Sequence, residues 1–180
     1  MDTFARREEK CKMFEKNITL IGMPGAGKST VGVVVAKLLC KTFIDADLVI
    51  QGREGKRLYK IIEEIGNEKF LKLENDTLLH LNVHNSVIST GGSAIFGKEA
   101  MEHLKATSTV VYIRVPYEAL EKRLKNLKRR GVVCEEGQTL LDIYNTRTPL
   151  YEQYADIIVD SNNETDIQET AMEIVKFFEG

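Results

Sequence analysis

The fold of this chain is decided by one stretch near its N-terminus, ITLIGMPGAGKST at residues 18–30. The apolar run at its start predicts a buried strand, and the following pattern of Gly, four residues, Gly, Lys and Ser is typical of a phosphate-binding loop between a strand and a helix. Such a loop surrounds phosphates with backbone N–H groups at the positive end of the helix dipole. We therefore expect a nucleoside triphosphate site; the alternative is a glycine-rich turn that merely joins the two elements.

Individual positions of the loop have distinct predicted roles. Gly25 and Gly27 lack a Cβ, so the backbone can adopt positive φ and bring a row of N–H groups close to an anion. Lys28 is placed to reach the outer phosphates, and Ser29 offers its hydroxyl to a magnesium ion. The residues expected to bind the nucleotide are Gly25, Ala26, Gly27, Lys28, Ser29 and Thr30.

The length and charge of the chain limit its class. At 180 residues it is long enough for one domain with a substantial core and short for two. Its 25 Lys and Arg residues nearly balance its 27 Asp and Glu residues, which gives a net charge of -2. Because nucleic-acid and membrane-surface binders need an excess of basic charge, we expect neither partner. The balanced surface and short chain favour a monomer.

Cysteine usage and the N-terminus indicate the compartment. Cys11, Cys40 and Cys134 are far apart, odd in number and without ligand spacing, which is typical of thiols in a reducing compartment. No apolar run approaches the ~20 residues that span a bilayer, and residues 1–16 lack the apolar core of a signal peptide. We expect a cytoplasmic protein, with residues 1–16 as an N-terminal extension and 17–180 as a single domain.

Apolar patterns along the chain alternate between strands and helices. Strands are predicted at 18–21, 42–44, 87–90, 109–115 and 155–159. Helices are predicted at 29–40, in two parts over 58–83 with a break at Gly66-Asn67, after Pro116, from about Thr139, and at 167–178. This alternation predicts an α/β fold, a five-stranded parallel sheet with helices on both faces.

Two carboxylates, Asp45 and Asp47, follow the second predicted strand. Residues two apart in a strand share a face, so we expect both side chains to point over the strand end toward the phosphates. One carboxylate would hold magnesium, usually through its water, and the other would accept the proton of a substrate hydroxyl. The alternative is an acidic turn or a helix N-cap.

Three further stretches predict the acceptor side of the site. Gly91 and Gly92 end the third strand and would let a substrate or a phosphate approach the backbone; a simple tight turn is the alternative. Arg130 ends a basic run and fits a lid that brings an arginine onto the transferring phosphoryl group; a solvated helix face is the alternative. Arg147, near the end of the helix from Thr139, suits two-point binding of a carboxylate; a surface salt bridge is the alternative.

The order and spacing of these stretches resemble the shikimate kinase family over nearly the whole chain from about Asn17. The shared patterns are the loop GMPGAGKST at 22–30, DAD at 45–47, TGGS at 90–93, the basic segment around Arg130, and RTPLY at 147–151. The resemblance implies a fold like that of the P-loop nucleoside-monophosphate kinases. It also implies a substrate-binding segment at about 46–80 and a lid at about 128–138.

The resemblance further implies the reaction and the role of each residue. The reaction would be Mg²⁺-dependent transfer of the γ-phosphate of ATP to a hydroxyl of shikimate, a precursor of aromatic amino acids. Asp45 would join Ser29 at the metal, and Asp47 would hold the acceptor hydroxyl. The implied catalytic residues are Lys28, Asp47 and Arg130, the last also at ATP, and the implied substrate-binding residues are Asp47, Gly91, Gly92 and Arg147, which would bind the carboxylate.

Three departures from the family pattern occur in the substrate segment, the glycine turn and the lid. The family usually has Phe-Arg-x-x-Glu, whose arginine is a second grip on the shikimate carboxylate, but this chain has Leu71 at the arginine position. Ser93 replaces the third glycine of the turn, and Arg-Pro-Leu-Leu of the lid becomes RGVV at 130–133. Because a lost charge-assisted hydrogen bond costs on the order of 1.5–3 kcal/mol, we expect retained phosphoryl transfer with altered or weakened acceptor choice. The alternatives are a kinase of another small polyhydroxy or hydroxy-acid metabolite and a nucleotide-binding regulator without transfer activity.

Overall fold

A computed structural model describes residues 16–124, 131–135, 137–161 and 167–179, so Arg130 and all but the last residue of the N-terminal extension lie outside it. The strands are β1 (Asn17–Ile21), β2 (Thr42–Asp45), β3 (Ser86–Ser89), β4 (Ser108–Arg114) and β5 (Ile157–Asp160). They form one parallel sheet in the order β2-β3-β1-β4-β5. The predicted five-stranded parallel sheet is confirmed.

Helices cover both faces of this sheet. They are α1 (Lys28–Leu38), α2 (Ala46–Glu54), α3 (Leu58–Leu79), α4 (Lys98–Thr107), α5 (Tyr117–Arg123), α6 (Leu140–Tyr154) and α7 (Ile167–Lys176). On one face α1 packs against α7, and on the other α4 packs against α3 and β4. Within the described ranges, no helix is long and apolar enough to cross a membrane.

The central strand β1 lies between β3 and β4 and is buried along its whole length. A strand of a parallel sheet that is covered on both faces needs a nearly continuous apolar run. The sequence Ile18-Thr19-Leu20-Ile21 meets this requirement, and Thr19 satisfies its hydroxyl with Ser108 at 2.7 Å. The core therefore fixes the strand that leads directly into the phosphate loop.

The strand register brings the three functional loops to one edge. Leu20 of β1 pairs with Ser89 of β3, and Ser89 pairs with Asp45 of β2. Because the strands are parallel, their carboxyl ends meet there, and ligands of open α/β sheets bind in that crevice. The phosphate loop, the Asp45 stretch and the glycine turn are consequently neighbours.

The expectation that Asp45 and Asp47 share one face of a strand is wrong. Asp45 is the last residue of β2, whereas Asp47 lies in the first turn of α2. The Asp45 carboxylate caps this helix, since its Oδ1 accepts hydrogen bonds from the backbone N–H groups of Asp47 at 3.0 Å and Leu48 at 3.3 Å. The helix N-cap, the alternative interpretation of the pair, is therefore present at Asp45.

Two helices differ from their predicted form. The break at Gly66 is confirmed as a kink, because Gly66 has φ 79° and ψ 165° inside the continuous α3. Thr139 does begin α6 with a capping box, but the helix continues past Pro149 to Tyr154. Arg147 therefore lies in the middle of α6, and the prediction that it lies near the helix end is wrong.

Candidate active site

A cavity of about 380 Å³ joins the phosphate loop to the carboxyl ends of β2 and β3. The predicted site residues that line it are Gly25, Gly27, Lys28, Ser29, Thr30, Asp47, Gly91, Gly92 and Arg147. Ala26 is buried within the loop, and Asp45 lies at the strand end beneath α2. The structure thus brings together the predicted nucleotide and acceptor residues, except Arg130, which lies outside the described residues.

The phosphate loop has the backbone that its glycines predict. Gly25 has φ 78°, and Gly27, the residue that precedes α1, has φ 90°. An L side chain at either position would be strained. Residues 27–30, at the start of α1, line the cavity, and a helix N-terminus in that position is suited to bind an anion.

Lys28 is held inside the loop and lines the cavity. Its Nζ donates hydrogen bonds to the carbonyls of Gly22 at 2.8 Å and Met23 at 3.1 Å. Burial lowers the pKa of Lys28 to about 8, against the opposing charge of Asp47. The ammonium is thus weakly solvated, which strengthens its interaction with an anion in the cavity.

Ser29 and Asp45 are compatible with a magnesium site. The Ser29 hydroxyl lies 3.3 Å from the Ser89 hydroxyl, and Ser89 is the sheet partner of Asp45. Among the residues with defined positions, no group of three or more acidic, His or Cys side chains could hold a metal by itself. Mg²⁺ keeps several waters and is shared between one or two protein groups and substrate phosphates, a small donor set that Ser29 and Asp45 could provide.

Asp47 faces the cavity from α2 beside the glycine turn. Its Oδ1 is buried and has no hydrogen-bond partner in the described part of the chain. A Cβ built on Gly91 would come within 2.9 Å of this oxygen, so a glycine is needed for the close approach. Burial raises the pKa of Asp47, while the nearby Lys28 lowers it. An unpaired carboxylate oxygen in a cavity can accept a hydrogen bond from a hydroxyl.

Arg147 is a buried cation and not part of a surface salt bridge. It is 3% exposed, and its Nη1 donates to the Gly92 carbonyl at 2.9 Å while its Nη2 donates to the Val133 carbonyl at 2.5 Å. The Phe96 ring covers the guanidinium, with its centroid 5.4 Å from Cζ. These contacts orient the guanidinium, whose remaining donors suit a carboxylate.

Tyr151 reinforces the glycine turn from the same helix. Its hydroxyl donates a hydrogen bond of 2.6 Å to the Gly92 carbonyl, one helical turn after Arg147. The ring stacks on Tyr112 of β4 with centroids 5.1 Å apart. Two side chains of α6 therefore fix the peptide that follows Gly92.

The segment 131–135, within the predicted lid, lies over the cavity. Val132 and Val133 are buried and line it. The Asn67 side chain donates a hydrogen bond of 2.7 Å from the kink of α3 to the Cys134 carbonyl. The segment thus covers this part of the cavity with apolar side chains.

Sequence reasoning missed one residue that lines this cavity and one side-chain contact to the phosphate loop. Glu74 of α3 is buried in it and accepts a hydrogen bond of 2.7 Å from Ser93. Burial raises the pKa of Glu74 to about 7, and the Ser93 hydrogen bond opposes this shift. Arg123, on α5, donates to the Gly25 carbonyl at 3.4 Å. The Phe-x-x-x-Glu pattern contained a signal for Glu74, whereas Arg123 was one of many charges in a basic run.

Leu71 is not among the described residues that line the active-site cavity. It packs against the small apolar cluster that contains Phe70 and Val133, and it lines a separate surface cavity with Phe96. Lys72, next to it, is exposed and paired with Glu68 at 2.8 Å. Among the described residues that line the main cavity, the cationic ones are Lys28 and Arg147.

A phosphate loop that shares one cavity with an unpaired carboxylate and a buried arginine, on a five-stranded parallel sheet, defines a P-loop kinase of small molecules. Comparison with known proteins gives the family. The family model described as shikimate kinase matches residues 24–179. The chain belongs to the shikimate kinase family, and it is an ATP-dependent phosphotransferase with an alcohol acceptor.

Individual relatives and solved structures agree with this assignment. The chain is 36% identical over 155 residues to a shikimate kinase of Histophilus somni, covering 84% of this chain and 89% of the relative. It is 39% identical over 153 residues to one of Nitrosomonas europaea, covering 83% and 72%. A shikimate kinase of Acinetobacter baumannii, solved in complex with shikimate, superposes with a TM-score of 0.84 at 33% identity, covering 93% of this chain and 95% of that one. A shikimate kinase of Aquifex aeolicus gives a TM-score of 0.76 at 34% identity, covering 91% and 96%.

Proposed function

We propose that this chain transfers the γ-phosphate of ATP to a hydroxyl of shikimate. The observation that carries the proposal is the single cavity in which Lys28 of the phosphate loop, Asp47 and Arg147 lie together. The similarity to relatives named shikimate kinase, one solved with shikimate bound, supports the choice of acceptor. Phosphoryl transfer depends mainly on positioning and charge stabilisation, and each of these residues has a part in one of them.

On the donor side, the backbone N–H groups of Gly25–Thr30 hold the phosphates of ATP. Lys28 leaves the carbonyls of Gly22 and Met23 to reach the outer phosphates, where its charge stabilises the transition state. Ser29 directly, and Asp45 through a water, would hold Mg²⁺. The ion would supply charge neutralisation at the phosphates. Arg130 remains a predicted second cation at the transferring group.

On the acceptor side, Asp47 receives the hydroxyl that is phosphorylated. The hydroxyl oxygen forms a bond to the γ-phosphorus, the bond from that phosphorus to the β,γ-bridging oxygen breaks, and ADP leaves with the electron pair. The proton passes to the Asp47 carboxylate. Arg147 binds the acceptor carboxylate, the turn at Gly91 and Gly92 lets the ring approach the backbone, and Val132 and Val133 exclude water.

The test is an acceptor panel in a coupled assay of ADP release, with shikimate, quinate, gluconate and homoserine. Turnover with shikimate at a KM in the usual range of about 1 μM to 1 mM supports the proposal. Turnover only with another acceptor would show that this compound, and not shikimate, is the substrate. The departures at Leu71 and Ser93 favour this outcome over a loss of activity. ATP binding without acceptor-stimulated turnover would indicate a nucleotide-binding regulator and contradict the proposal.

Asp47→Asn tests the assignment of the proton acceptor. The amide keeps the shape of the side chain but cannot take up the proton, so kcat falls by about 10²-fold or more. The Kd for ATP changes less than about threefold, because the proposed partner of Asp47 is the acceptor hydroxyl and not a phosphate of ATP. Single-turnover phosphate transfer and calorimetric ATP binding measure the two quantities. An Asp47→Asn enzyme with full activity would refute the assignment.

A further inference from the structure

Phe96 is a large apolar side chain whose position is not explained by the hydrophobic core. It is 42% exposed, whereas Ala94 and Ile95, the two residues before it, are buried. Its ring lies against Arg147, with 5.4 Å between Cζ and the ring centroid. The face of an aromatic ring attracts a cation within about 6 Å of its centroid, and the attraction is stronger where water is excluded. Because Arg147 is 3% exposed, its contact with Phe96 belongs to the stronger kind.

The ring and the hydrogen bonds hold Arg147 in different ways. The carbonyls of Gly92 and Val133 each accept a hydrogen bond from one guanidinium nitrogen. Each of these bonds uses an N–H donor that could otherwise bind an anion. The ring of Phe96 attracts the positive charge and uses no donor. It therefore restrains the cation without competing with a carboxylate for the remaining N–H groups.

The backbone that carries the ring is fixed beside the glycine turn. Phe96 ends one turn of 3₁₀ helix, in which its N–H donates to the Ser93 carbonyl at 3.0 Å. Gly97, the next residue, lies so close to α3 that a Cβ built on it would be 2.6 Å from Asn75 Oδ1. The same short turn packs against α6, the helix of Arg147. The ring is therefore a fixed part of the wall around the guanidinium.

Within the described part of the chain, the active-site cavity offers an acceptor carboxylate one arginine, Arg147. The other cation that lines this cavity, Lys28, belongs to the phosphate loop. The family's second arginine is replaced by Leu71, which lines a surface cavity together with Phe96. A charge-assisted hydrogen bond is strong only where its geometry is maintained. A contact that holds this one guanidinium in place therefore contributes directly to acceptor affinity.

We propose that Phe96 is a positioning residue for the acceptor: its cation–π contact holds the Arg147 guanidinium in place and thereby raises the affinity of the enzyme for the acceptor carboxylate. This inference rests on the proposed function and deepens it. In this chain the ring compensates for the charge that Leu71 lacks. Because the ring acts through Arg147, it sets the discrimination between a carboxylate and a neutral group, while ATP binding and the transfer step are unaffected.

The first test replaces Phe96 with mono-, di- and trifluorophenylalanine by incorporation of the non-natural amino acids. Each fluorine withdraws electron density from the ring face and weakens a cation–π contact, with little change in the size of the side chain. We expect the KM for shikimate to rise with each fluorine, to about fivefold for the trifluoro ring, while kcat and the KM for ATP stay within about twofold of wild type. A KM for shikimate that does not follow the number of fluorines would overturn the inference, because packing alone does not depend on the charge of the ring face.

Phe96→Leu and Phe96→Tyr separate the ring face from the apolar volume of the side chain. Leucine has no ring face, so the KM for shikimate rises about fivefold to tenfold, whereas tyrosine keeps the face and the wild-type KM. Phe177→Leu, a change at an exposed phenylalanine just after α7, is the matched control and leaves the KM unchanged. Equal KM values for wild type and Phe96→Leu would contradict the role of the ring.

A neutral acceptor tests whether the ring acts through Arg147. For the wild type, kcat/KM falls about tenfold to a hundredfold when the carboxylate of shikimate is replaced by a carboxamide, as expected for lost hydrogen bonds between charged groups. In Phe96→Leu the same replacement costs at least about threefold less, because Arg147 is no longer held for the carboxylate. An equal cost in both enzymes would show that Phe96 does not act through Arg147, and the inference would be wrong.

The two proposals can fail independently. Absence of wild-type turnover with shikimate would overturn the proposed function before any variant is made. Wild-type turnover with a KM that is insensitive to ring fluorination would overturn only the role of Phe96.

Discussion

At the residue scale, the active-site cavity holds four ionisable side chains that are withdrawn from the water that would normally solvate them. Lys28 and Arg147 are largely buried cations, and Glu74 is a largely buried acid. Asp47 completes the set with its buried oxygen. Burial lowers the pKa of Lys28 and raises the pKa values of Asp47 and Glu74, and such shifts are typical of catalytic sites. Their titration therefore connects acid–base behaviour of the active site to the stability of the whole chain.

Glu74 contributes a pH-dependent part of this stability. Its pKa rises from 4.5 in the unfolded chain to about 7 in the folded one, mainly because it is buried. The folded state therefore binds more protons between these values, and the contribution is fully present below pH 4.5 and lost as pH rises through 7. Glu74→Gln removes this pH-dependent loss of stability, because the amide does not titrate. We expect its free energy of unfolding, relative to wild type, to increase between pH 5 and pH 8 by on the order of 2–3 kcal/mol.

Urea unfolding at the two pH values measures this change. Glu63→Gln serves as the control because Glu63 is exposed on the same helix, and its difference from wild type should be the same at both pH values. A Glu74→Gln difference that does not vary with pH would show that Glu74 titrates as an ordinary surface acid.

At the element scale, α6 supports the proposed acceptor site, since it carries both Arg147 and Tyr151. Its start is held by the capping box, in which Thr139 Oγ1 accepts from the Asp142 N–H at 3.2 Å and Asp142 Oδ2 accepts from the Thr139 N–H at 2.9 Å. This box satisfies backbone donors that would otherwise be unpaired at the helix end. The start of α6 was predictable for that reason.

Thr139→Ala should weaken this start. We expect a loss of about 1 kcal/mol in the free energy of unfolding, the usual value for a lost N-cap side chain. Thr146→Ala, an exposed change later in the same helix, should stay within about 0.5 kcal/mol of wild type. Denaturant melts of the three proteins measure both values, and coincident curves for Thr139→Ala and wild type would contradict the role of the cap.

Two elements were not predicted from the sequence, for different reasons. The apolar residues of α2 do not form one buried face, because Leu48 is 63% exposed while Ala46 and Ile50 are buried. In α4 the buried residues Ala100, Met101 and Leu104 do have helical spacing, so a signal was present in that short segment. The missed α2 also led to the wrong geometry for Asp47.

At the scale of the whole molecule, local motifs were predictable and distant contacts were not. The phosphate loop is encoded by consecutive residues with fixed roles, so Lys28 and Ser29 could be identified directly. The hydrogen bond between Ser93 and Glu74 joins the end of β3 to α3, and only the folded chain brings them together. The same holds for Asn67 and Cys134, which are 67 residues apart.

Asn67 provides a test of this long-range organisation. Asn67→Ala removes the hydrogen bond that ties the segment 131–135 to the kink of α3. A net loss of about 1 kcal/mol predicts a rise of about fivefold in KM for the acceptor, because this segment covers the acceptor side of the cavity. Steady-state kinetics with varied acceptor measure it, and Lys60→Ala, an exposed change on α3, is the control. An unchanged acceptor KM in Asn67→Ala would mean that the contact does not assist acceptor binding.

The Phe96 ring has a consequence for the design of selective inhibitors. It separates the Arg147 guanidinium from a surface cavity of about 430 Å³ that is also lined by Leu71. A compound with a carboxylate for Arg147 and an apolar arm extending past Phe96 would contact Leu71, where family members with the usual pattern present an arginine. Its potency should exceed that of the same compound without the arm against this enzyme, and Leu71→Arg should remove the difference.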